Sequence, residues 1–288
     1  MIKKSTLFTI CFLLSGSLAA QWTQGKGNAY VKLSGWYLKS DSHFTNTGEI
    51  AALPTRVFLN TSLYAEYGLS KKIDLVTYFP FFARSLQNNQ VSGTRGTILE
   101  GGEGASLKSL GDLDIGVKYG IYTSNNWAVS TSLTFGIPTG KTDGGHETAV
   151  LQNGDGEFNQ QIKAAIGHSF QLKKMPGYAK SYVAYNHRTQ GFSDEVSVGA
   201  EVGLYVLKPL LLTSKLNLLR STKNGTLSES TNTTSLFANN IEYTNVGVQI
   251  AYFISKNIGV SYEYTALLNG KIIAAAPNHS VGVFVKLH

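Results

Sequence analysis

Apolar and polar side chains alternate along about twelve segments of roughly ten residues each, beginning at Asn28. Successive side chains of a β-strand point to opposite faces, so this pattern predicts strands with one apolar and one polar face. Short turns and long polar loops join the segments in alternation. Because hydrocarbon cannot hydrogen-bond a free backbone group, a sheet spans a bilayer only when it is closed into a ring. We therefore predict an all-β fold: a transmembrane antiparallel β-barrel of about 12 strands, with short periplasmic turns and long extracellular loops.

The strand boundaries follow from this alternation. The predicted strands are Asn28–Leu38, Val57–Tyr67, Ile73–Phe81, Asp112–Ile121, Trp127–Gly136, Phe158–Phe170, Tyr178–His187, Val196–Leu207, Leu210–Leu219, Glu242–Ile254, Ile258–Ala266 and Val281–His288. The longest predicted loop, Arg84 to Leu110, is our candidate constriction because its length and glycines would let it fold inward. Deleting residues 95 to 106 would then raise conductance.

The segment from residue 112 to residue 121 has the cleanest alternation. Asp112, Asp114 and Lys118 share one face, and only apolar or aromatic side chains occupy the other. A slip by one residue would place all three charges in lipid, at a cost of about 2–4 kcal/mol for a midplane lysine. The register is therefore strongly specified.

Aromatic residues cluster at the ends of the segments that the short turns join. We expect them to form the periplasmic aromatic girdle. They are Tyr67, Tyr122, Trp127, Phe170, Tyr178, Tyr252 and Phe253.

The first twenty residues are typical of a cleavable secretory signal peptide. Lys3 and Lys4 precede a short apolar run, and small residues lead to a cleavage point after Ala19 or Ala20. We expect residues 21–288 to form one outer-membrane barrel domain without a long N-terminal plug. The only cysteine, Cys11, lies in the signal segment, so the mature chain has no thiol chemistry.

Composition changes this interpretation little. Hydrophobic residues make up 42% of the chain, an ordinary value for a barrel because only every second strand residue is apolar. Removing the two signal-peptide lysines lowers the formal charge from +7 to about +5. No basic tract is present, which argues against a nucleic-acid partner.

The polar faces of the strands predict which charged residues line the lumen. The candidate lumen-lining residues are Lys32, Glu66, Asp112, Asp114, Lys118, Lys163, Glu201, Lys215, Glu263 and Lys286. Acidic and basic groups nearly cancel, whereas strongly selective pores use rings of one sign, so we expect weak ion selectivity. We favour a second role for these charges, which is to pair across strands and brace a narrow barrel.

The sequence contains no pattern that predicts catalysis or metal binding. A hydrolytic site needs a nucleophile and a base within hydrogen-bond reach, but His168 and Ser169 are adjacent and would face opposite ways. Asp143, His146 and Glu147 match no metal-ligand spacing and fit a solvated loop better. We expect no enzyme activity, catalytic residue, metal or cofactor.

Three short motifs resemble a known family. They are Gly111-Asp112-Leu113-Asp114-Ile115-Gly116-Val117-Lys118-Tyr119, Gly136-Ile137-Pro138-Thr139-Gly140 and Gly154-Asp155-Gly156-Glu157-Phe158. Here the chain resembles the outer-membrane family associated with meta-pathway phenol degradation, most sharply over residues 111 to 170. The resemblance implies an outer-membrane barrel that helps small, often aromatic or hydrophobic, compounds to cross. The chain departs from the usual barrel pattern at its last residue, His288, where an aromatic residue is common.

The sequence therefore predicts a monomeric barrel of the Gram-negative outer membrane that lets small molecules, including hydrophobic or aromatic ones, pass passively. Its expected partners are outer-membrane lipid and lipopolysaccharide, the outer-membrane assembly machinery and a small solute. The alternative is a closed barrel with a structural or adhesive role and no transport activity.

Overall fold

The computed structural model describes residues 22–146, 149–227 and 236–288. The predicted signal peptide lies outside these ranges. The described residues form sixteen strands: β1 (Ala29–Phe44), β2 (Ile50–Gly68), β3 (Ile73–Gln87), β4 (Ala105–Ser109), β5 (Leu113–Thr123), β6 (Trp127–Ile137), β7 (Gly144–His146), β8 (Ala149–Leu151), β9 (Asn159–Leu172), β10 (Met175–His187), β11 (Glu195–Leu207), β12 (Leu210–Ser221), β13 (Glu242–Phe253), β14 (Ile258–Lys271), β15 (Ile273–Ala274) and β16 (Asn278–Leu287). Within these ranges, no helix is long and apolar enough to cross a membrane.

Twelve of the strands form a closed antiparallel ring. Its order is β1, β2, β3, β5, β6, β9, β10, β11, β12, β13, β14 and β16. The last strand pairs with the first, from Ala29 opposite Leu287 to Leu38 opposite Asn278, and this pairing completes the ring. The predicted all-β, twelve-stranded barrel is confirmed.

The alternation of apolar and polar residues determines which side chains lie on the outer face of the barrel and which lie on the inner face. On β5, Val117 and Ile121 are exposed on the outside, whereas Lys118 between them is only 4% exposed. Val117 lies opposite Leu75 of β3 and Leu133 of β6, which are also exposed. A continuous apolar outer surface results, and the charges of this strand point inward, as the register predicted.

Several strands extend beyond their predicted ends on the side of the long loops. The structure continues β1 to Phe44 and begins β2 at Ile50, although residues 39 to 55 read as a polar loop. Strand β3 likewise reaches Gln87. Backbone pairing needs no apolar side chains once a strand has left hydrocarbon, so hydropathy alone underestimates these lengths.

Two of the predicted girdle aromatics face the interior. Tyr67, Tyr122, Trp127 and Tyr252 are exposed on the outer surface. Tyr178 instead belongs to a buried cluster, against which Phe253 packs. Their positions on β10 and β13 have the parity of the lumen face, so this part of the girdle prediction was wrong.

The loop from Arg84 to Leu110 does not fold into the lumen. Its start continues β3, and Ala105–Ser109 returns as β4 to pair with that extension. The tip forms an exposed hairpin with a bridge between Val91 and Ile98. Residues 88 to 110 line none of the cavities described below, so the structure does not support this loop as the constriction.

A lysine substitution should distinguish the two faces of the wall. Val248 is 54% exposed on the outer face of β13, and the neighbouring Gln249 lies opposite Glu263. We expect Val248→Lys to lower the free energy of unfolding by about 2–4 kcal/mol because it places a charge in hydrocarbon. The matched variant Gln249→Lys should cost much less. Urea unfolding of barrels refolded in lipid vesicles measures both, and equal costs would contradict the assigned faces.

Candidate functional site

A buried ion network lies in the lumen near the short-turn end. Lys118 Nζ lies 2.7 Å from Glu66 Oε2 and 2.9 Å from Asp74 Oδ2, and all three side chains are at most 5% exposed. Tyr64 also donates a hydrogen bond to Glu66. The network joins β2, β3 and β5 and places two acids against one lysine.

The residues before β1 close over this network. Lys118 Nζ donates to the carbonyl oxygen of Trp22 at 3.0 Å. The backbone nitrogen of Gln24 donates to the carboxylate of Asp74 at 3.0 and 3.1 Å, and Gln24 Nε2 donates to Glu66 at 2.8 Å. We had expected no long N-terminal plug. The seven described residues before β1 are few, yet they occupy the end of the lumen.

An aromatic cluster fills the same end of the barrel, and we call it the floor. Tyr178, Leu211, Ala251 and Phe284 are buried there, and Trp22, Tyr30, Tyr205 and Phe253 pack against them. Phe284 is the most buried of the aromatics, and its ring centroid lies 5.2 Å from that of Phe253. Lys286 Nζ lies over the Phe253 ring at 5.4 Å.

Above the floor is a cavity of about 160 Å³, which we call the lower cavity. Glu66, Lys118, Lys163, Glu201 and Lys215 line it, together with Lys180, which the sequence analysis had not selected. Lys180 pairs with Glu201 at 3.0 Å, and Lys215 pairs with Glu263 at 2.7 Å. Lys163 Nζ lies 5.6 Å from the centroid of the Tyr182 ring.

A larger cavity of about 460 Å³, the upper chamber, lies towards the long loops. Thr134 lines both cavities, so they adjoin. Polar residues of β5, β6 and β9 to β11 form one side of the upper chamber, with Asp155 and Arg188 from the loops. The other side is mainly apolar and comes from β12 to β14 and the segments after them.

The ten residues selected from the sequence therefore lie at different levels. Asp114 lines the upper chamber, and five others line the lower cavity. Lys32 lies beside Gly282 on the inner face, Glu263 binds Lys215 there, and Lys286 lies at the floor. Asp112 lines neither cavity: its carboxylate accepts hydrogen bonds from the backbone of Gly140 at 2.8 Å and Asp155 at 2.9 Å.

Two loops cover the long-loop end. In the loop from 138 to 158, fully buried Asn153 donates to the carbonyl oxygen of Ala83 at 3.1 Å and to Ser109 Oγ at 2.8 Å. In the second loop, which precedes β13, Ala238 and Ile241 pack against Phe44, Ile272 and Ile273. Residues of both loops line the larger cavity at this end, whereas residues 84 to 110 do not.

Asp194 joins the loops at the rim. Its carboxylate accepts hydrogen bonds from Tyr185 Oη at 2.5 Å, the Arg188 backbone at 2.9 Å and Asn224 Nδ2 at 2.8 Å. Burial opposes ionisation, but these donors and His187 outweigh it and hold the pKa of Asp194 well below its ordinary value. For Glu157 in the neighbouring loop, burial dominates and raises the pKa.

Alternation could have identified some residues that the sequence analysis missed. Asp74 and Lys180 have the parity of the lumen face on β3 and β10, whereas Trp22 and Arg188 lie outside any alternating segment. Among the described residues, no group of three or more His, Cys, Asp or Glu side chains is arranged to hold a metal ion. Glu147 lies outside them.

A closed antiparallel ring with an apolar outer face and charged interior is the fold of an outer-membrane barrel. The chain is similar to the crystal structure of the COG4313 outer-membrane channel from Pseudomonas putida F1, with 15% identity and a TM-score of 0.64. The match covers 94% of this chain and 99% of the channel. This likeness supports the fold.

Two porins are less similar to this chain, and we draw no inference from them. The NanC porin has 10% identity and a TM-score of 0.48, and the KdgM porin has 9% and 0.44; each match covers 90% of this chain and 99% of the porin. No protein-family description and no curated protein sequence matches the chain.

Removing the network lysine should destabilise the barrel. In Lys118→Met, Glu66 and Asp74 would remain buried without their cation, so we expect a loss of about 3–5 kcal/mol in the free energy of unfolding. Lys215→Met is the matched control, because Lys215 and Glu263 are about one-fifth exposed and water can compensate. Urea unfolding measures both, and an equal or smaller loss for Lys118→Met would contradict the network.

The rim should depend on the ionised form of Asp194. A carboxyl whose folded-state pKa is lowered contributes stability that is complete above its unfolded pKa of about 3.9 and is lost as pH falls through the folded-state value. Pepsin should therefore begin to cut residues 188–194 and 222–227 only well below pH of about 4.

The variant Asp194→Asn should be cut at those positions throughout the acid range in which pepsin acts. Mass spectrometry of the fragments locates the cuts. The exposed carboxylate of Asp41 provides the control variant Asp41→Asn, which should behave as the unmodified barrel does. Identical cleavage of all three proteins would show that Asp194 does not hold the rim.

Proposed function

We propose that this chain is a channel of the Gram-negative outer membrane through which small molecules pass passively. The proposal rests on a closed wall that encloses two adjoining cavities, both lined by charged and polar side chains. A barrel that was filled only for stability would need neither a chamber of about 460 Å³ nor titratable groups along its axis.

The upper chamber supports a cargo that includes hydrophobic or aromatic compounds. About half of its wall is apolar, which suits small solutes with an apolar body. The cavity volumes favour single small molecules over polymers. We propose that the long-loop end faces the cell exterior and the short turns face the periplasm.

The outer surface supports the remaining partners. Its exposed apolar side chains would contact outer-membrane lipid and, at the long-loop end, lipopolysaccharide. Insertion would require the outer-membrane assembly machinery. We propose a monomer, because one chain closes the ring by itself.

The floor favours a second candidate, a closed barrel with a structural or adhesive role. Aromatic side chains, the buried ion network and residues 22–24 together obstruct the short-turn end. In a channel, this obstruction must open or leave only a narrow path. The two candidates therefore differ in whether the floor ever conducts.

Single-channel recording in planar bilayers tests the proposal. We expect small conductance steps from the unmodified barrel, and larger or more frequent steps when residues 22–24 are deleted, since they cover the lumen at the floor. Deleting residues 93–96 at the exposed tip of the Arg84–Leu110 loop is the matched control and should change nothing. If correctly folded barrels are silent with and without residues 22–24, the closed barrel is the better account.

A further inference from the structure

The upper chamber has two chemically distinct walls. Moving around the ring from β5 to β11, it is lined by Asp114, Thr134, Asn159, Gln161, Asn186 and Glu195. From β12 onward, the lining is mainly apolar and includes Leu219, Ile241, Leu267 and Ile273. A solute in this chamber would therefore meet a polar wall on one side and an apolar wall on the other.

Two hydrogen-bond acceptors on the polar wall have no donor among the described residues. Asp114 makes no ion pair there, and its carboxylate receives no hydrogen bond. Asn186 Oδ1 is buried and also receives none, while the amide nitrogen of Asn186 donates to Asn159 Oδ1 at 2.9 Å. Asn186 Oδ1 has almost no accessible surface, whereas Asp114 lines the chamber, so a ligand that supplies donors to Asp114 gains affinity.

The glycine at position 136 leaves room for the Asp114 carboxylate on the polar wall. A Cβ atom at Gly136 would lie 3.2 Å from Asp114 Oδ1 and 2.9 Å from Asn159 Cβ. The absence of a side chain therefore lets Asp114 lie near Asn159, which Asn186 contacts directly. The polar wall thus presents the Asp114 carboxylate beside the side chain of Asn159.

The one guanidinium of the chamber does not cancel this negative charge. Arg188 lies 3.2 Å from Asp155 Oδ2 and 3.0 Å from Glu195 Oε1, so two carboxylates already surround it. Its Nε–H is buried and has no acceptor among the described residues. The carboxylate of Asp114 remains as the negative group that is left for a ligand.

We propose that the upper chamber is a binding site for small cationic amphiphiles, that is, a primary amine joined to a compact apolar body. The ammonium group donates to the Asp114 carboxylate, and the apolar body lies against Leu219, Ile241 and Leu267. An ammonium supplies three donors and one positive charge, which suits the unpaired carboxylate of Asp114 and the polar side chains beside it. This inference names a solute class for the proposed channel and rests on that proposal only for its role in passage.

The lower cavity sets the depth at which such a ligand stops. Lys118, Lys180 and Lys215 line it, but each pairs with a carboxylate, whereas Lys163 makes no ion pair among the described residues. A cation that moved below Thr134 would approach Lys163 and be repelled. The ammonium group is therefore held at the level of Asp114.

Equilibrium dialysis of the refolded full barrel against three radiolabelled solutes tests the site. Phenethylamine, 2-phenylethanol and 3-phenylpropionate have similar apolar bodies and differ in the charge of the head group. We expect phenethylamine to bind about tenfold more tightly than the alcohol, and the carboxylate to bind weakest. Equal binding of the three solutes would overturn the proposal, since it would reflect partition into the apolar wall or the detergent.

Two variants locate the site. Asp114→Asn keeps the shape of the side chain and should weaken phenethylamine binding about tenfold while leaving binding of the alcohol unchanged. Glu49→Gln, at an exposed position between β1 and β2, should bind all three solutes as the unmodified barrel does. Retained phenethylamine binding in folded Asp114→Asn would overturn the assignment.

Single-channel conductance of the same preparations distinguishes a failure of the binding-site proposal from a failure of the channel proposal. Conducting barrels that do not bind phenethylamine would overturn the site and leave the channel proposal standing. Silent barrels that bind phenethylamine through Asp114 would support the site and contradict passage.

Discussion

Closure of the backbone ring is the constraint on which the rest of this structure depends. Ten residue pairs join β1 to β16, so the sheet has no free edge in the region that would meet hydrocarbon. Once the ring is closed, each strand has one inner and one outer face, and alternation decides which side chains meet lipid. The same rule that makes the outside apolar places Glu66, Asp74 and Lys118 together inside.

The faces of the strands could be predicted from the sequence, because parity is a local property. Which charges meet inside could be predicted only in part. The pairs Lys118–Asp74 and Lys180–Glu201 join directly opposite residues of neighbouring strands. Two other ion pairs join strands that are not neighbours in the ring. Lys118 on β5 reaches past β3 to Glu66 on β2, and Lys215 on β12 reaches past β13 to Glu263 on β14. Such contacts depend on the curvature of the wall and on side-chain length, neither of which appears in a pattern of alternation.

The ends of the barrel were harder to predict for a different reason. Outside the bilayer, hydropathy no longer distinguishes a strand from a loop, so residues 84 to 110 read as one long loop although both of its ends pair. The girdle prediction grouped aromatics by their distance from a turn and ignored parity, which places Tyr178 and Phe253 in the floor. The hydrogen bonds of Gln24 to Asp74 follow no sequence periodicity at all.

The distribution of charge along the barrel axis changes what the balanced composition of the lumen implies. Summed over the chain, the lumen charges nearly cancel, and that sum predicts weak ion selectivity. In the structure the signs are separated: three carboxylates and one guanidinium line the upper chamber, whereas in the lower cavity Lys118, Lys180 and Lys215 are paired with acids and Lys163 is not. A cation therefore meets an attractive level in the upper chamber and a repulsive one at Lys163, and an anion meets the reverse. Weak overall selectivity and strong local binding are compatible in such a lumen, because the first depends on the whole path and the second on a single level.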